Sequence, residues 1–133
     1  MCIFCKIVAG ELPSYKVYED DKTLAFLDIK PVSFGHTLVI TKKHYANLEE
    51  ISEEDLTALA LAMKKVGALI KEKLAVPGYN ANENNDPIAG QDIPHIHFHL
   101  IPRREGDELH FWPKIEYGPG DMEALTKKLT SAI

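Results

Sequence analysis

Three histidines stand two residues apart in His95-Ile96-His97-Phe98-His99-Leu100-Ile101, alternating with apolar side chains. In a strand that spacing puts the imidazoles on one face and Ile96, Phe98 and Leu100 on the other. The apolar face meets a core and the histidine face lines a site. Any one of these histidines alone reads as a hydrogen-bonded residue at a sheet surface. Three in register do not, because half of the six histidines in the chain fall within five residues and histidine has no strand preference that would gather them. Residues two apart on a strand are separated by about 6.6 Å and residues four apart by about 13 Å, whereas zinc holds each ligand atom at about 2 Å. One ion therefore cannot take all three, and the histidines divide their labour. A neutral imidazole attacks phosphorus and then leaves when water arrives, splitting one displacement into two. A neighbouring imidazole orients it or donates a proton.

A second group is Cys2-x-x-Cys5, the only two cysteines in the chain. They are too few and too close together to staple a secreted scaffold, so they read as reduced thiols or metal ligands. With 20 acidic and 15 basic side chains the net charge is −5, which opposes docking on a nucleic-acid backbone but not a small anion in a local pocket. No apolar run approaches the roughly 18 residues of a membrane span, and the amino terminus lacks the pattern of a signal peptide. The expectation is one domain, residues 1–133, in the cytoplasm.

The elements that must position these groups are legible in outline. Ile3, Phe4, Ile7 and Val8 have helical spacing, closed by Gly10 and Pro13, which predicts a short helix over Cys2 to Ala9. Lys16 to Glu19 and Thr23 to Asp28 flank Asp20-Asp21 as a hairpin, and Thr37 to Thr41 is a third strand. Ser52-Glu53-Glu54-Asp55 opens a long helix to Ala75, with Leu56, Leu59, Ala60, Met63, Val66, Gly67, Ile70 and Leu74 as its apolar stripe. Pro77-Gly78 ends it, Tyr79 to Glu83 is a fourth strand, Asn84 to Gly90 a loop, and the histidine run the fifth strand. After Gly118-Pro119-Gly120 a terminal helix, Asp121 to Ile133, is expected to turn Met122, Leu125 and Leu129 inward.

The histidine run resembles the His-φ-His-φ-His-φ-φ signature of the histidine triad (HIT) family, in its zinc-bearing bacterial-type branch. Cys2-Ile-Phe-Cys-Lys-Ile7, Phe26-Leu-Asp-Ile-Lys-Pro31, Gly35-His-Thr-Leu-Val-Ile40, Lys42-Lys-His44, Asn84-Asn85 and Gly90-Gln91 resemble family segments in the expected order, so the likeness spans nearly the whole chain. It implies an α+β fold with a five-stranded antiparallel sheet, one long and one or two short helices, and a homodimer through which the sheet continues. His97 would be the nucleophile and His99 a phosphate contact that positions or protonates groups around it. Ile3, Phe4, Ile7, Phe26, Ile29 and Leu38 would hold the base, Asp28 the ribose hydroxyls, and Asn84 and Gln91 the phosphate. Core packing is the plainer reading of the apolar set, a turn start that of Asp28, and a polar loop that of the amides. Asn85 and Asp86 keep the loop reading.

The zinc-bearing branch, like the related hexose-phosphate uridylyltransferases, pairs Cys-x-x-Cys with two distant histidines, which here match His44 and His95. The resemblance thus implies a structural zinc on Cys2, Cys5, His44 and His95. The implied function is hydrolysis or transfer at the α-phosphate of a nucleoside 5′-monophosphate derivative through a nucleotidyl-His97 intermediate. The substrate would be a purine nucleotide, with adenosine favoured, as an AMP-amidate or a dinucleoside polyphosphate. Pro102-Arg103-Arg104-Glu105-Gly106-Asp107 resembles both branches and does not choose between them. The alternative is a nucleotide-binding regulatory or scaffold protein with negligible turnover. One departure stands out: Asp92 follows Gln91 where many phosphoramidase-like members have Ser or Thr, an acceptor in place of a hydroxyl donor. Lys42, Lys43, Arg103 and Arg104 read as solvated strand ends, and His36 as a buried hydrogen-bonded residue. His110 and Trp112 lie in a segment that in relatives reaches toward the partner's active site, and they receive no catalytic role.

Overall fold

The computed structural model describes residues 2–131. Helix α1 (Ile3–Val8) is followed by strands β1 (Lys16–Glu19), β2 (Thr23–Leu27) and β3 (Thr37–Thr41), then helix α2 (Glu53–Leu74), β4 (Gly78–Glu83), a 3-10 turn (Pro87–Ala89), β5 (His97–Arg103) and α3 (Asp121–Thr130). The five strands form one sheet in the order β1-β2-β3-β5-β4, every neighbouring pair antiparallel. This is the α+β architecture the sequence led us to expect, and within the described residues it forms one sheet with its helices.

Local chemistry accounts for the elements. Asp20 Oδ1 accepts from the amides of Lys22 and Thr23 at 2.9 and 2.7 Å, which closes the β1–β2 hairpin. Ser52 caps α2 by accepting from the Asp55 amide at 3.1 Å, with Glu53, Glu54 and Asp55 in the first turn. Ala75, in the left-handed conformation at φ 52°, ends it.

The sheet is covered on both faces. One face, with Ala25, Val39 and Leu100, packs on Leu59, Ala62, Val66 and Ile70 of α2, together with Ile96 just ahead of β5. The other carries Leu24, Phe26, Leu38 and Ile40 under Phe4 of α1. Register decides which face the histidines take: His99 pairs with Leu38 and His97 with Ile40. They therefore lie on the α1 face.

Several expectations need correction. β5 starts at His97, not His95; the His95 amide bonds to the Ile93 carbonyl, so the first histidine precedes the strand and its ring is aimed separately. β2 stops at Leu27, and the Asp28 amide instead joins the His36 carbonyl at 2.9 Å. In α2, Ala62 is buried, whereas Ala60 is exposed and Leu74 is 43% exposed, because the helix is rolled slightly from the counted stripe. Met122, Leu125 and Leu129 of α3 do not point inward: they are 58%, 42% and 77% exposed, and no residue of that helix is buried. Its amphipathic pattern was real, but the sheet's two faces are already occupied by α2 and α1. Arg103 is not a bare strand end. It forms a two-bond ion pair with Asp107 (2.8 and 3.1 Å), donates to Asn80 Oδ1 and stacks on Phe111.

Candidate active site and metal centre

On the α1 face the sheet leaves a cavity of about 550 Å³. Ile3, Phe4, Ile7, Phe26, Asp28, Ile29, Leu38, His97 and His99 all line it, so nine of the eleven residues assigned to catalysis or nucleotide contact meet in one place. The apolar residues divide into two kinds. Phe4, Phe26 and Leu38 are 3%, 4% and 6% exposed and belong to the core. Ile3 and Ile29 are 51% and 84% exposed, so core packing is not their role, and both line the cavity. Asp28 starts a turn, its Oδ1 accepting from the Lys30 amide at 2.8 Å, and the residue also lines the cavity.

Asn84 and Gln91 do not line it. The Gln91 amide donates to the Ala46 carbonyl at 2.6 Å and its oxygen accepts from the Asp86 amide at 2.8 Å. Gln91 thus ties the loop after β4 to the chain ahead of α2. Sequence reasoning also missed a wall formed by Leu12 to Tyr15 and by Ile93, where the chain returns from α1 in an irregular path that no periodicity reveals.

The hydrogen bonds assign a role to each ring nitrogen. His97 Nδ1 lies 2.7 Å from the His95 carbonyl oxygen, which can only accept, so Nδ1 carries the proton and Nε2 keeps its lone pair. Phe4 packs edge-on against the His97 ring at 5.1 Å between centroids and holds its orientation. The second chain starts at the Val32 amide, which donates to His36 Nδ1 at 3.0 Å. His36, buried as expected at 2% exposure, therefore carries its proton on Nε2 and donates to His99 Nδ1 at 2.9 Å. That leaves His99 Nε2–H as a donor. Burial holds His36 below its ordinary pKa, and burial together with His97 and His36 pushes His99 down to about 4. Both rings are neutral at pH 7. The tautomer-setting role of His36 had no sequence signal, since it depends on a contact spanning 63 residues.

Next to His97 in the chain, His95 belongs to a second cluster with Cys2, Cys5 and His44. The two sulfurs are 3.2 Å apart, the two Nδ1 atoms 3.2 Å, and the four sulfur–nitrogen distances run from 3.3 to 3.6 Å. These are the edges of a near-regular tetrahedron, whose centre is about 2.1 Å from each corner, the distance zinc requires. His95 Nε2 donates to the Thr41 carbonyl at 2.7 Å, freeing Nδ1 as a ligand in the manner of a metal-bound histidine. The donor set fits a closed zinc site. Asp28, His36 and His99 also converge, but both His36 nitrogens and His99 Nδ1 are taken up by the hydrogen-bond chain above.

Residues 9–106 match the HIT domain model. An adenosine 5′-monophosphoramidase of Schizosaccharomyces pombe is 41% identical over 135 residues, covering 99% of this chain and 98% of its own. A HIT family protein from Bacillus subtilis has a solved structure with TM-score 0.92 and 39% identity, covering 99% of this chain and 96% of that one. A zinc-bound histidine triad family protein from Mycobacterium smegmatis superposes with TM-score 0.78 at 38% identity, covering 86% and 84%. With the domain model spanning most of the sequence and the fold shared end to end, the chain belongs to the HIT family.

Proposed function

We propose that this chain hydrolyses, or transfers the nucleotidyl group of, AMP derivatives through a covalent adenylyl-His97 intermediate. One observation carries the reading: the His95 carbonyl holds His97 in the Nδ1–H tautomer, which keeps Nε2 nucleophilic inside a nucleotide-sized cavity. Nε2 attacks the α-phosphorus, a phosphorus–nitrogen bond forms, and the bond to the leaving group breaks with its electron pair. The leaving group takes a proton from solvent. The resulting cationic ring keeps Nδ1–H on the His95 carbonyl, which stabilises it. His99 Nε2–H donates to a phosphate oxygen, and being neutral it does so without locking the ground state. Water then attacks phosphorus and releases a proton to solvent, the electron pair of the phosphorus–nitrogen bond returns to Nε2, and AMP departs. Asp28 accepts from the ribose hydroxyls, and the apolar wall from Ile3 to Ile29 receives the base. The fission-yeast relative, named as an adenosine 5′-monophosphoramidase, supports adenosine as the nucleoside.

Cys2, Cys5, His44 and His95 hold one structural zinc in this reading, which would tie α1 to the turn before β5. The protein acts as a homodimer: β4 is an open sheet edge, and Phe111, Trp112, Ile115 and Tyr117 beyond β5 are 63% to 94% exposed, an apolar surface that a second copy would cover.

The test is mass spectrometry of protein quenched shortly after mixing with an AMP-amidate. An adenylyl adduct on His97 is expected, absent in His97→Ala, with turnover reduced by about three or more orders of magnitude in the variant. Tight AMP binding with no adduct and no turnover in the wild type would overturn the enzymatic reading and leave the binding-only one.

A further inference from the structure

The cavity that would receive a phosphate contains no lysine or arginine among its lining residues, yet it contains two carboxylates, Asp28 and Asp92. Asp28 lies beside the apolar wall and has one oxygen committed to the Lys30 amide. Asp92 is placed differently: its Oδ1 is 3.9 Å from His97 Nε2, and its side chain is 80% exposed. It carries no hydrogen bond to any other described side chain that would neutralise it or hold it away.

In-line attack by His97 Nε2 expels the leaving group on the far side of phosphorus, about 5 Å from that nitrogen, and with Asp92 Oδ1 3.9 Å from the same nitrogen the departing atom is within about 9 Å of the carboxylate. We infer that Asp92 is a charge selector for the leaving group, favouring amines that carry a positive charge, tolerating neutral ones and disfavouring anionic ones such as polyphosphate or sulfate. The reason is electrostatic and has two parts. A carboxylate is an acceptor only, so it can hold an amine N–H or an ammonium group but offers nothing to an anionic oxygen. The lining supplies no basic side chain to offset it. The inference rests on the adenylyl-transfer reading of this site and deepens it, since it names the class of leaving group.

The experiment uses three AMP-amidates of one ethylamine skeleton, ending in trimethylammonium, in its neutral isostere tert-butyl, or in sulfonate. With the wild type at low salt, kcat/KM falls in that order. A unit charge about 6 Å from an exposed carboxylate changes the rate constant by about three- to tenfold, so the cation-to-anion ratio is about ten to a hundred. Asp92→Asn, which keeps the shape and removes the charge, collapses that ratio toward the value that the rest of the protein sets. Raising the salt to about 1 M shrinks the wild-type ratio much more than the variant's, because the exposed charge that the variant lacks is screened over about 3 Å at that ionic strength. A merely structural role for Asp92 would lower all three rates together and show no salt dependence in their ratio. An equal ratio in wild type and Asp92→Asn, or a ratio indifferent to salt, overturns the inference. Binding of the same compounds to His97→Ala and to His97→Ala/Asp92→Asn separates the two readings. A charge order in Kd that Asp92→Asn abolishes upholds the selector even if no adduct forms and the enzymatic proposal falls. Normal turnover with no Asp92-dependent charge order refutes the selector alone, and failure of all three compounds to bind refutes both.

Discussion

If His99 is neutral in the folded protein, acid should destabilise the protein through that residue by an amount the structure sets. Its pKa in the folded state is about 4, because burial and then the neighbours His97 and His36 disfavour its charged form; in the unfolded chain it returns to about 6.5. Between these values the unfolded state binds a proton that the folded state does not. Stability therefore rises with pH across that window. The contribution is fully present above about pH 6.5 and is lost as the pH falls toward 4. The difference of about 2.5 pKa units gives a ceiling of about 3.4 kcal/mol, and partial exposure of the ring reduces it to about 2 to 3 kcal/mol. Urea unfolding of the wild type and of His99→Gln from pH 7.5 to 4 isolates this residue, since any acid effect at Cys2, Cys5, His44 and His95 is common to both. The wild type should lose about 2 to 3 kcal/mol more than the variant across that range. Nitrogen-detected NMR at pH 7.5 should find His99 and His36 both neutral and protonated on Nε2. A stability difference flat with pH to within about 0.5 kcal/mol, or an Nδ1–H tautomer at His99, would refute the chain from Val32 through His36.

Protein purified without chelator should carry about one zinc per chain, and Cys5→Ser should lose it together with thermal stability while the His97 adduct still forms on what remains folded; reduced protein that takes up no zinc on titration would contradict the tetrahedral assignment. AMP-amidates lacking the 2′-hydroxyl should react about tenfold more slowly or worse, as loss of a hydrogen bond to a charged acceptor implies, and Asp28→Ala should erase that preference. Equal rates on ribose and deoxyribose would remove Asp28 from the ribose contact. Gly67→Ala raises helix propensity but drives a Cβ into the Tyr79 hydroxyl and ring. Calorimetry should therefore show a net loss of about 1 to 3 kcal/mol in place of the gain an open helical glycine would give.

The alternation in His95 to Leu100, the capped helix after Ser52 and the hairpin at Asp20-Asp21 are local signals, each generated by residues that interact within a turn or two, and all three were legible in the sequence. The family likeness pointed to His97 as the nucleophile and to Cys2, Cys5, His44 and His95 as a metal set, and the geometry of those four agrees with such a set. What the sequence left open were properties of contacts between distant segments. That His95 leaves the strand to turn its ring on Cys2 and Cys5, while its carbonyl sets the His97 tautomer, follows from the path of the chain between Ile93 and His97. That His36 fixes the proton of His99 follows from the pairing of β3 with β5, which no count along the chain contains. Gln91 was matched to phosphate by the family resemblance alone, and only tertiary structure shows that both ends of its amide bond to backbone. The stripe of α3 marks the limit of pattern reading. Periodicity specifies that a helix has an apolar face, but whether that face is buried depends on what the rest of the fold has already covered, and here α1 and α2 cover both faces of the sheet.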